Sequence, residues 1–319
     1  MSKDSSLRPR GLFINSKNST CSIHEVGLMC YSILRESNQY DLDYTEDPNG
    51  NDLGRSVYSY DFVIVNYHFV TNNQVSETII RSFGARSYAI VTEITFGKDP
   101  TERTPQYYGK YIVLDPTVEE TKSILAFPRP IDVMMGDEPD NAPVIPVIGS
   151  FGFATDGKRW DLIAAAVNTE FDEAIIRFNI PVATYVPNHE ERIDAIRQSC
   201  LARITKPGIR LEISHANLSR EEIVKWCAGN TINCFFYFRE HMYTSGLAAV
   251  TDQAVASKRP LLVTPDCTFR HVHKYVADNV FPNIGIKLAI QSTQSAVLRM
   301  SEDWHKKEFV KKFETSLFV

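Results

Sequence analysis

A glycine-containing stretch near the middle of the chain has the composition of an anion-binding turn. Residues 149–152 read GSFG, and the basic pair Lys158-Arg159 follows a few positions later. Glycine lets backbone N–H groups approach an anion closely, and two cations can neutralise a diphosphate. The residues alone leave two interpretations, a phosphate-binding turn or an ordinary turn, because they match neither the dinucleotide fingerprint nor a Walker A loop.

A second stretch with similar potential follows an apolar run that ends at Phe238. Ser245 is a suitable N-cap for a helix predicted over residues 246–257, and Gly246 permits a ligand to approach the backbone. Asp252, within that helix, can accept hydrogen bonds from a vicinal diol such as a ribose. The alternative interpretation makes Ser245 an ordinary cap and Asp252 a surface charge.

Side chains able to take a proton from a hydroxyl group occur at four positions in the first half. His24 and Glu25 begin a predicted helix, His68 follows one predicted strand, and Glu93 follows another. General base catalysis uses these residue types. A lone residue of this kind more often has a structural role, and the sequence leaves that alternative open for each of the four.

The elements that must position these residues alternate between strands and helices. The strands are predicted at residues 11–15, 61–66, 87–92, 111–114, 146–149, 174–180, 209–213, 231–238 and 260–264. The helices are predicted at residues 22–34, 73–83, 158–169, 189–201, 223–228, 246–257, 269–277, 287–300 and 302–315. Two capping boxes, Thr117 with Glu120 and Ser219 with Glu222, predict helix starts. Near-continuous apolar strands indicate burial on both faces, as in a parallel sheet covered by helices.

Five prolines and an acidic run between residues 128 and 146 suit neither a helix nor a central strand. We therefore predict an α/β protein with two Rossmann-like, doubly wound parallel-sheet domains that face each other across a cleft. The first domain covers residues 1–135, a linker covers 136–145, and the second domain covers 146–300. Residues 301–319 are predicted to form a closing helix that packs back on the first domain. In this helix four lysines lie opposite an apolar stripe. A peripheral contact with a membrane surface is therefore an alternative to the packing on the first domain. The alternative to an interdomain linker in this proline-rich region is an irregular surface loop within one large domain.

Bulk composition narrows the function classes. The chain has 319 residues and a formal net charge of −5, which argues against a nucleic-acid partner. Its six cysteines form no Cys-x-x-Cys pair, so we expect reduced thiols and no zinc site. The start has no apolar stretch of a signal peptide, and no window has the roughly 20 apolar residues of a membrane span. We therefore expect a cytoplasmic protein.

Several motifs between residues 145 and 270 resemble, in order and spacing, the C-terminal donor domain of GT-B glycosyltransferases, in particular family-4-like enzymes. They are the glycine turn with its basic pair, the segment LSREEI at residues 218–223, and the run from Ser245 to Thr264. The family pattern is a glycine loop, a basic pair, an "ls-x-eel" helix, and a glutamate-containing helix that ends in a "small-x-G-x-P-v-v-x-T" turn. The first half of the chain resembles the family only in architecture.

The resemblance implies a donor site built from the second half of the chain. The residues that it implies are Gly149, Ser150, Phe151, Gly152, Lys158, Arg159, Tyr237, Glu240, Ser245, Gly246, Leu247 and Asp252. The family's ribose-binding glutamate aligns near Gln253, and we predict that the neighbouring Asp252 takes that role. In the GT-B architecture helix dipoles and cations stabilise the leaving nucleoside diphosphate. The resemblance therefore implies no cofactor and no metal, and we predict that Asp41-Leu42-Asp43 is not a metal-binding Asp-x-Asp motif.

The activity that the resemblance implies is sugar transfer, as in polysaccharide biosynthesis. The donor is a nucleoside-diphosphate sugar, and the acceptor is a glycan or a lipid-linked molecule. An inverting enzyme would need a base from the first domain, for which His24, Glu25, His68 and Glu93 are the candidates. Two alternatives remain: a nucleotide-sugar epimerase of the same fold, and a non-catalytic protein that binds nucleotide sugars or glycans.

Overall fold

The structure, a computed structural model, describes residues 8–17, 22–94, 97–135, 143–182, 188–238 and 246–317. By their contacts these residues form two compact units. The first unit contains the described residues up to Asp132, together with Gly246 and residues 304–317. The second contains the described residues from Val133 to Phe238 and from Leu247 to Asp303.

The described elements alternate between strands and helices along most of the chain. The strands are β1 (Arg10–Ile14), β2 (Asp41–Thr45), β3 (Phe62–Tyr67), β4 (Ser87–Val91), β5 (Lys110–Val113), β6 (Ile124–Ala126), β7 (Val147–Phe151), β8 (Ala174–Asn179), β9 (Ile209–Ser214), β10 (Ile232–Phe235) and β11 (Leu261–Val263). The helices are α1 (Ser22–Leu34), α2 (Glu77–Phe83), α3 (Trp160–Glu170), α4 (His189–Leu201), α5 (Arg220–Ala228), α6 (Val250–Ala256), α7 (Arg270–Val276), α8 (Ile286–Ser292), α9 (Gln294–Asp303) and α10 (Lys306–Leu317).

Each unit is built around one parallel sheet. The first sheet has six strands in the order β2-β1-β3-β4-β5-β6, and the second has five in the order β11-β10-β7-β8-β9. Every pairing between neighbouring strands is parallel. Central strands such as β3 and β7 are buried along their whole length, as their apolar sequences predict. This confirms the predicted α/β class with two doubly wound sheets.

Helix α10 closes the first unit. The Phe313 ring lies 5.7 Å from that of Tyr40 and 5.2 Å from that of Tyr88, and Phe309 lies 4.9 Å from Phe127. Both phenylalanines are buried. The apolar stripe of the helix therefore packs inside the first unit, as predicted for a closing helix. Among the described helices, none combines the length and apolar character that a bilayer span requires.

The structure differs from the prediction at two places in the first half. Residues 41–45, where no strand is predicted, form edge strand β2, in which Asp41 pairs with Arg8 and Asp43 pairs with Arg10, each at 3.1 Å. The capping box at Thr117 opens no helix, because the Thr117 hydroxyl donates to Asp115 at 2.7 Å instead. The second capping box, at Ser219, is present and starts α5.

Two helices of the second unit also differ from the prediction. Helix α6 begins at Val250 and not at residue 246, since the N–H of Ala248 donates to the carbonyl of Thr268 at 3.0 Å and holds the preceding backbone outside the helix. The helix predicted over residues 287–300 is split at Thr293. The buried Thr293 hydroxyl accepts the N–H of Leu261 at 3.2 Å and so anchors the break to β11.

Candidate active site

Polar residues of the first unit gather where its parallel strands end. Glu46 follows β2, Asn15 follows β1, His68 follows β3, and Glu93 lies two residues beyond β4. The strand order β2-β1-β3-β4 puts these positions in a row along one edge of the sheet. Ligands of doubly wound sheets bind outside this carboxyl edge.

His68 and Glu93 form a pair at this edge. Nε2 of His68 lies 3.4 Å from Oε2 of Glu93. Nδ1 of His68 accepts the N–H groups of Val70 and Thr71 at 3.3 and 3.2 Å, so the ring proton is on Nε2 and donates to the carboxylate. This hydrogen bond lowers the pKa of Glu93. His68 therefore orients an ionised carboxylate, and Glu93 is the better placed of the two to accept a proton.

His24 and Glu46 form a second pair of the same kind. His24 is buried in the first turn of α1, and its Nε2 lies 2.9 Å from Oε1 of Glu46. Tyr44 donates its hydroxyl to the same oxygen at 2.8 Å. The pKa of Glu46 is lowered mainly by the hydrogen bond from His24. Glu25, next to His24, is exposed, and its carboxylate lies 3.8 Å from His24 Nδ1.

Two buried asparagines fix the connection that carries His24. Asn66, next to the carboxyl end of apolar strand β3, donates to Oδ1 of Asn15 and to the carbonyl of Ile23, both at 2.8 Å. Asn15 in turn donates to the carbonyl of His24 at 3.1 Å. A Cβ atom at Gly27 would lie 2.0 Å from Oδ1 of Asn15. Only glycine therefore lets α1 approach this pair.

In the second unit, residues 157–159 are held against residues 236–238 at the carboxyl end of β10. Lys158 and Tyr237 form an antiparallel bridge, flanked by hydrogen bonds from the N–H of Arg159 to the carbonyl of Phe236 and from that of Phe238 to Gly157, both at 2.8 Å. The Lys158 ammonium lies 5.6 Å from the centre of the Tyr237 ring and donates to the carbonyl of Phe153 at 2.8 Å. This short ladder places the cation at the carboxyl edge of the sheet.

The sequence predicts a strand that ends at Gly149, whereas in the structure the strand continues for two more residues and the turn begins at Gly152. Strand β7 extends through Phe151, so Gly149, Ser150 and Phe151 belong to the sheet. The Phe151 ring packs inside the unit, 5.4 Å from that of Phe235. Gly152 follows the strand with a φ of 129°, and its N–H donates to Asn179 at 3.0 Å. Gly152 lies close to Lys158, since a Cβ atom on it would be 2.7 Å from the Lys158 ammonium.

Arg159 is engaged in a different contact from Lys158. Its guanidinium forms a bidentate pair with Asp161, at 2.9 and 3.0 Å. Asp161 also lies 3.6 Å from Arg203. The pairing raises the pKa of Arg159 and lowers that of Asp161. The two cations of the basic pair therefore have different surroundings. Lys158 lies beside Gly152, whereas the charge of Arg159 is neutralised by Asp161 at the start of α3.

The remaining predicted donor residues lie around α6. Leu247 is buried before the helix, and Asp252 is half-buried in its first turn. Val250, at the helix start, lies 3.5 Å from the place of a Cβ atom at Gly152. Gly246 groups with the first unit, where a Cβ atom on it would lie 3.8 Å from Cγ of Glu93. Glu240 and Ser245 lie outside the described residues.

Comparison with known proteins identifies the fold. No protein-family model and no curated protein sequence matches the chain. Several solved structures match nearly the whole chain, among them the following three. Anabaena HepE, solved in complex with UDP-glucose, has a TM-score of 0.57, 9% identity, and coverage of 97% of this chain and 99% of its own. A glycosyltransferase from Rickettsia africae has a TM-score of 0.60, 9% identity, and coverage of 97% and 98%. An E. coli structure described as trehalose-6-phosphate bound with UDP-2-fluoro glucose has a TM-score of 0.56, 9% identity, and coverage of 97% and 98%. The fold is GT-B.

One position of the turn after α6 has a backbone conformation that favours glycine although a lysine occupies it. The turn after α6 reads Ala256-Ser257-Lys258-Arg259-Pro260, so that Lys258 stands where the pattern has glycine. Lys258 has a φ of 56°, in the left-handed region that favours glycine. The preceding helix also contains Gln253, near which the pattern's glutamate aligns, and its buried Oε1 has no hydrogen-bond partner among the residues that the structure describes.

Sequence reasoning missed three residues that shape the first-unit edge. Glu46 anchors His24, Thr71 fixes the ring of His68, and Asn66 ties β3 to α1. Asn66 carried a visible signal, because it is the only amide in the otherwise apolar and aromatic strand FVIVNY. Glu46 and Thr71 carried none, since their roles depend on strand register and turn geometry.

Gly152→Ala tests whether the turn beside Lys158 needs glycine. L-residues rarely adopt a φ of 129°, and the new Cβ atom would lie 2.7 Å from the Lys158 ammonium. We expect a loss of about 1–3 kcal/mol in the free energy of unfolding of the second unit, measured by hydrogen exchange. Gly229→Ala is the matched control, because Gly229 has a φ of −74° and a Cβ atom on it would lie 3.3 Å from the flexible end of Arg177 and 3.5 Å from the carbonyl of Trp226. Equal stabilities of the two variants would contradict this account.

Proposed function

We propose that the chain is a glycosyltransferase, which transfers a sugar from a nucleoside-diphosphate donor to a glycan or lipid-linked acceptor without a metal. The observation that carries this proposal is the arrangement of Lys158, Gly152 and Tyr237 at the carboxyl edge of the second sheet. An ammonium and an aromatic ring there suit a diphosphate and the group attached to it. Structural neighbours solved with UDP or UDP-glucose support this assignment.

In this proposal the second unit binds the donor. Lys158 offsets the negative charge that develops on the diphosphate when the bond to the sugar breaks. Asp252 or its neighbour Gln253 binds the ribose hydroxyls, for which both side chains have suitable oxygen atoms. Tyr237 lies beside the cation, where it contributes to the wall of the donor site.

The first unit supplies the base. Glu93 takes the proton from the acceptor hydroxyl, the resulting oxygen bonds to the anomeric carbon, and the bond to the diphosphate oxygen breaks. The nucleoside diphosphate leaves with the electron pair. His68 holds one oxygen of Glu93, while the Glu93 side chain remains 46% exposed and accessible to an acceptor.

Titration calorimetry with UDP, GDP and ADP, followed by a transfer assay with the matching nucleotide sugars, tests the proposal. We expect one nucleotide to bind and Lys158→Met to weaken its binding by about 10- to 100-fold, because a charge-assisted hydrogen bond is lost. Lys225→Met is the control, since Lys225 is an exposed partner of Glu221 on α5.

The other possible results separate the alternatives. Failure of every nucleoside diphosphate to bind would rule out the donor site. Binding without transfer or hydrolysis would favour a non-catalytic binding protein. Conversion of the donor sugar into its stereoisomer would identify an epimerase.

A further inference from the structure

Glu46 presents a carboxylate of which one oxygen is fixed and the other is open. Oε1 accepts hydrogen bonds from Nε2 of His24 at 2.9 Å and from the hydroxyl of Tyr44 at 2.8 Å. In the part of the chain that the structure describes, Oε2 has no hydrogen-bond donor, and the side chain is 38% exposed. The carboxylate can therefore bind a ligand through Oε2 without giving up its internal contacts.

Buried groups hold this carboxylate in place. The His24 side chain is only 6% exposed, and Asn15 donates to the Tyr44 hydroxyl at 3.0 Å. Burial raises the pKa of Tyr44, which keeps its hydroxyl protonated as a donor to Glu46. A site whose side chains are already oriented loses less entropy when a ligand binds. Neither Glu46 nor Tyr44 belongs to the donor side of the proposed function.

The arrangement around Glu46 repeats that around Glu93. Each carboxylate has one oxygen bound by the Nε2 of a buried histidine, and the side chains of Glu46 and Glu93 are 38% and 46% exposed. Strands β1 and β3 separate β2 from β4 in the sheet, so three inter-strand spacings lie between the two residues. At about 4.8 Å per spacing, the two carboxylates are about 14 Å apart along the edge.

The chemistry of this edge favours a ligand with hydroxyl groups over an anion. A carboxylate oxygen accepts hydrogen bonds and repels phosphate or another carboxylate. Glu25 lies next to His24, and Asp47 follows Glu46, which adds negative charge. Lys17 lies close enough to lower the pKa values of Glu46 and Asp47, but it is one cation among three carboxylates.

We propose that Glu46 is a specificity-determining residue for the acceptor: its Oε2 accepts a hydrogen bond from a hydroxyl of an uncharged sugar unit, while another hydroxyl of the same acceptor reacts at Glu93. The inference rests on the proposed function and specifies the acceptor as a neutral glycan at this edge. An acceptor with a phosphate or carboxylate at the Glu46 end is disfavoured.

The test compares Glu46→Gln with Glu46→Asp and with the control Glu119→Gln, which changes an exposed glutamate of the same unit. The substrates are the preferred nucleotide sugar and a panel of neutral di- and trisaccharides, each with a phosphorylated counterpart. Glu46→Gln places an amide N–H₂ or a weaker acceptor where the carboxylate stood. We expect the acceptor KM to rise about 10-fold or more, with kcat within about 2-fold of wild type. Glu46→Asp keeps the charge and should raise KM less.

The outcomes separate this inference from the proposed function. An unchanged acceptor KM in Glu46→Gln, or a wild-type preference for the phosphorylated acceptor, would overturn the inference while transfer itself continues. If wild type transfers to no acceptor, the proposed function fails. The inference is then tested by calorimetry with the neutral saccharides alone, where equal affinities of wild type and Glu46→Gln refute it. Unchanged hydrogen exchange of the amides of β1 and β3 in the variant shows that the first unit has folded.

Discussion

Replacement of Glu93 by glutamine is expected to slow sugar transfer by about 10²- to 10⁴-fold, the usual contribution of a general base. The amide has nearly the size of the carboxylate and can still accept the Nε2 proton of His68, so the fold should not change. Nucleotide affinity should remain within about 2-fold of wild type, because Lys158 and α6 are unaffected. Steady-state kinetics with donor affinity from calorimetry measure both quantities.

The control for this variant is Glu102→Gln, which changes an exposed glutamate that pairs with Lys98 at 3.5 Å. It should transfer sugar at the wild-type rate. A Glu93→Gln enzyme with more than about a tenth of wild-type activity would show that the proton goes elsewhere, for example to the leaving diphosphate.

The pH dependence of the same step follows from the contact with His68. The hydrogen bond from His68 is the main reason that the pKa of Glu93 is lowered. His68→Ala removes this donor, so the pKa of Glu93 should rise and the acid limb of kcat/KM should move to higher pH. In the wild type the lowered pKa also favours the folded state above the ordinary pKa of a glutamate, and this contribution is lost as the pH falls through the lowered value.

Phe313→Ala is expected to lower the free energy of unfolding of the first unit by about 3–5 kcal/mol. The ring is fully buried and has edge contacts with Tyr40 and Tyr88, so its removal leaves a cavity between α10 and the sheet. Hydrogen exchange measured by mass spectrometry reports each unit separately. Amides of β3 and β4 should exchange faster, whereas those of β7 and β8 should keep their protection.

Phe238→Ala is the matched control for this prediction, since the same truncation then affects a side chain that is 40% exposed. It should change the free energy of unfolding by less than about 1 kcal/mol. If Phe313→Ala left the protection of β3 unchanged, α10 would contribute little to the first unit. An equal loss of protection in both sheets would instead show that the two units unfold together.

The helices show how far a single sequence predicts structure. The bounds of α1 and α4 agree with the prediction, because each segment combines helical periodicity with clear ends. Strand β2 escaped detection since its Asp41 and Asp43 look like a polar loop, and only the arginines paired with them explain a charged edge strand. Thr117 and Glu120 have the spacing of a capping box, yet the Thr117 hydroxyl donates its hydrogen bond to Asp115.

The candidate site was predictable in its components but not in its connections. His68 and Glu93 were predicted as candidate bases because they follow predicted strands. Lys158 was predicted as a phosphate-binding residue because it follows the glycine turn. The hydrogen bond between His68 and Glu93 joins two strands, and the pairing of neighbouring strands cannot be deduced from either segment alone. For the same reason Glu46 was not predicted as the partner of His24, although both residues stand at element ends.

The place of α10 in the first unit has a consequence for biosynthesis. A ribosome makes the first six strands early, but the helix that covers the rings of Tyr40 and Phe62 is made only after the whole second unit. Until then the nascent first sheet keeps a set of aromatic side chains open to water. Chaperones that bind exposed aromatic surface therefore have a target in this chain for most of its translation, and the first sheet reaches its final state after the second.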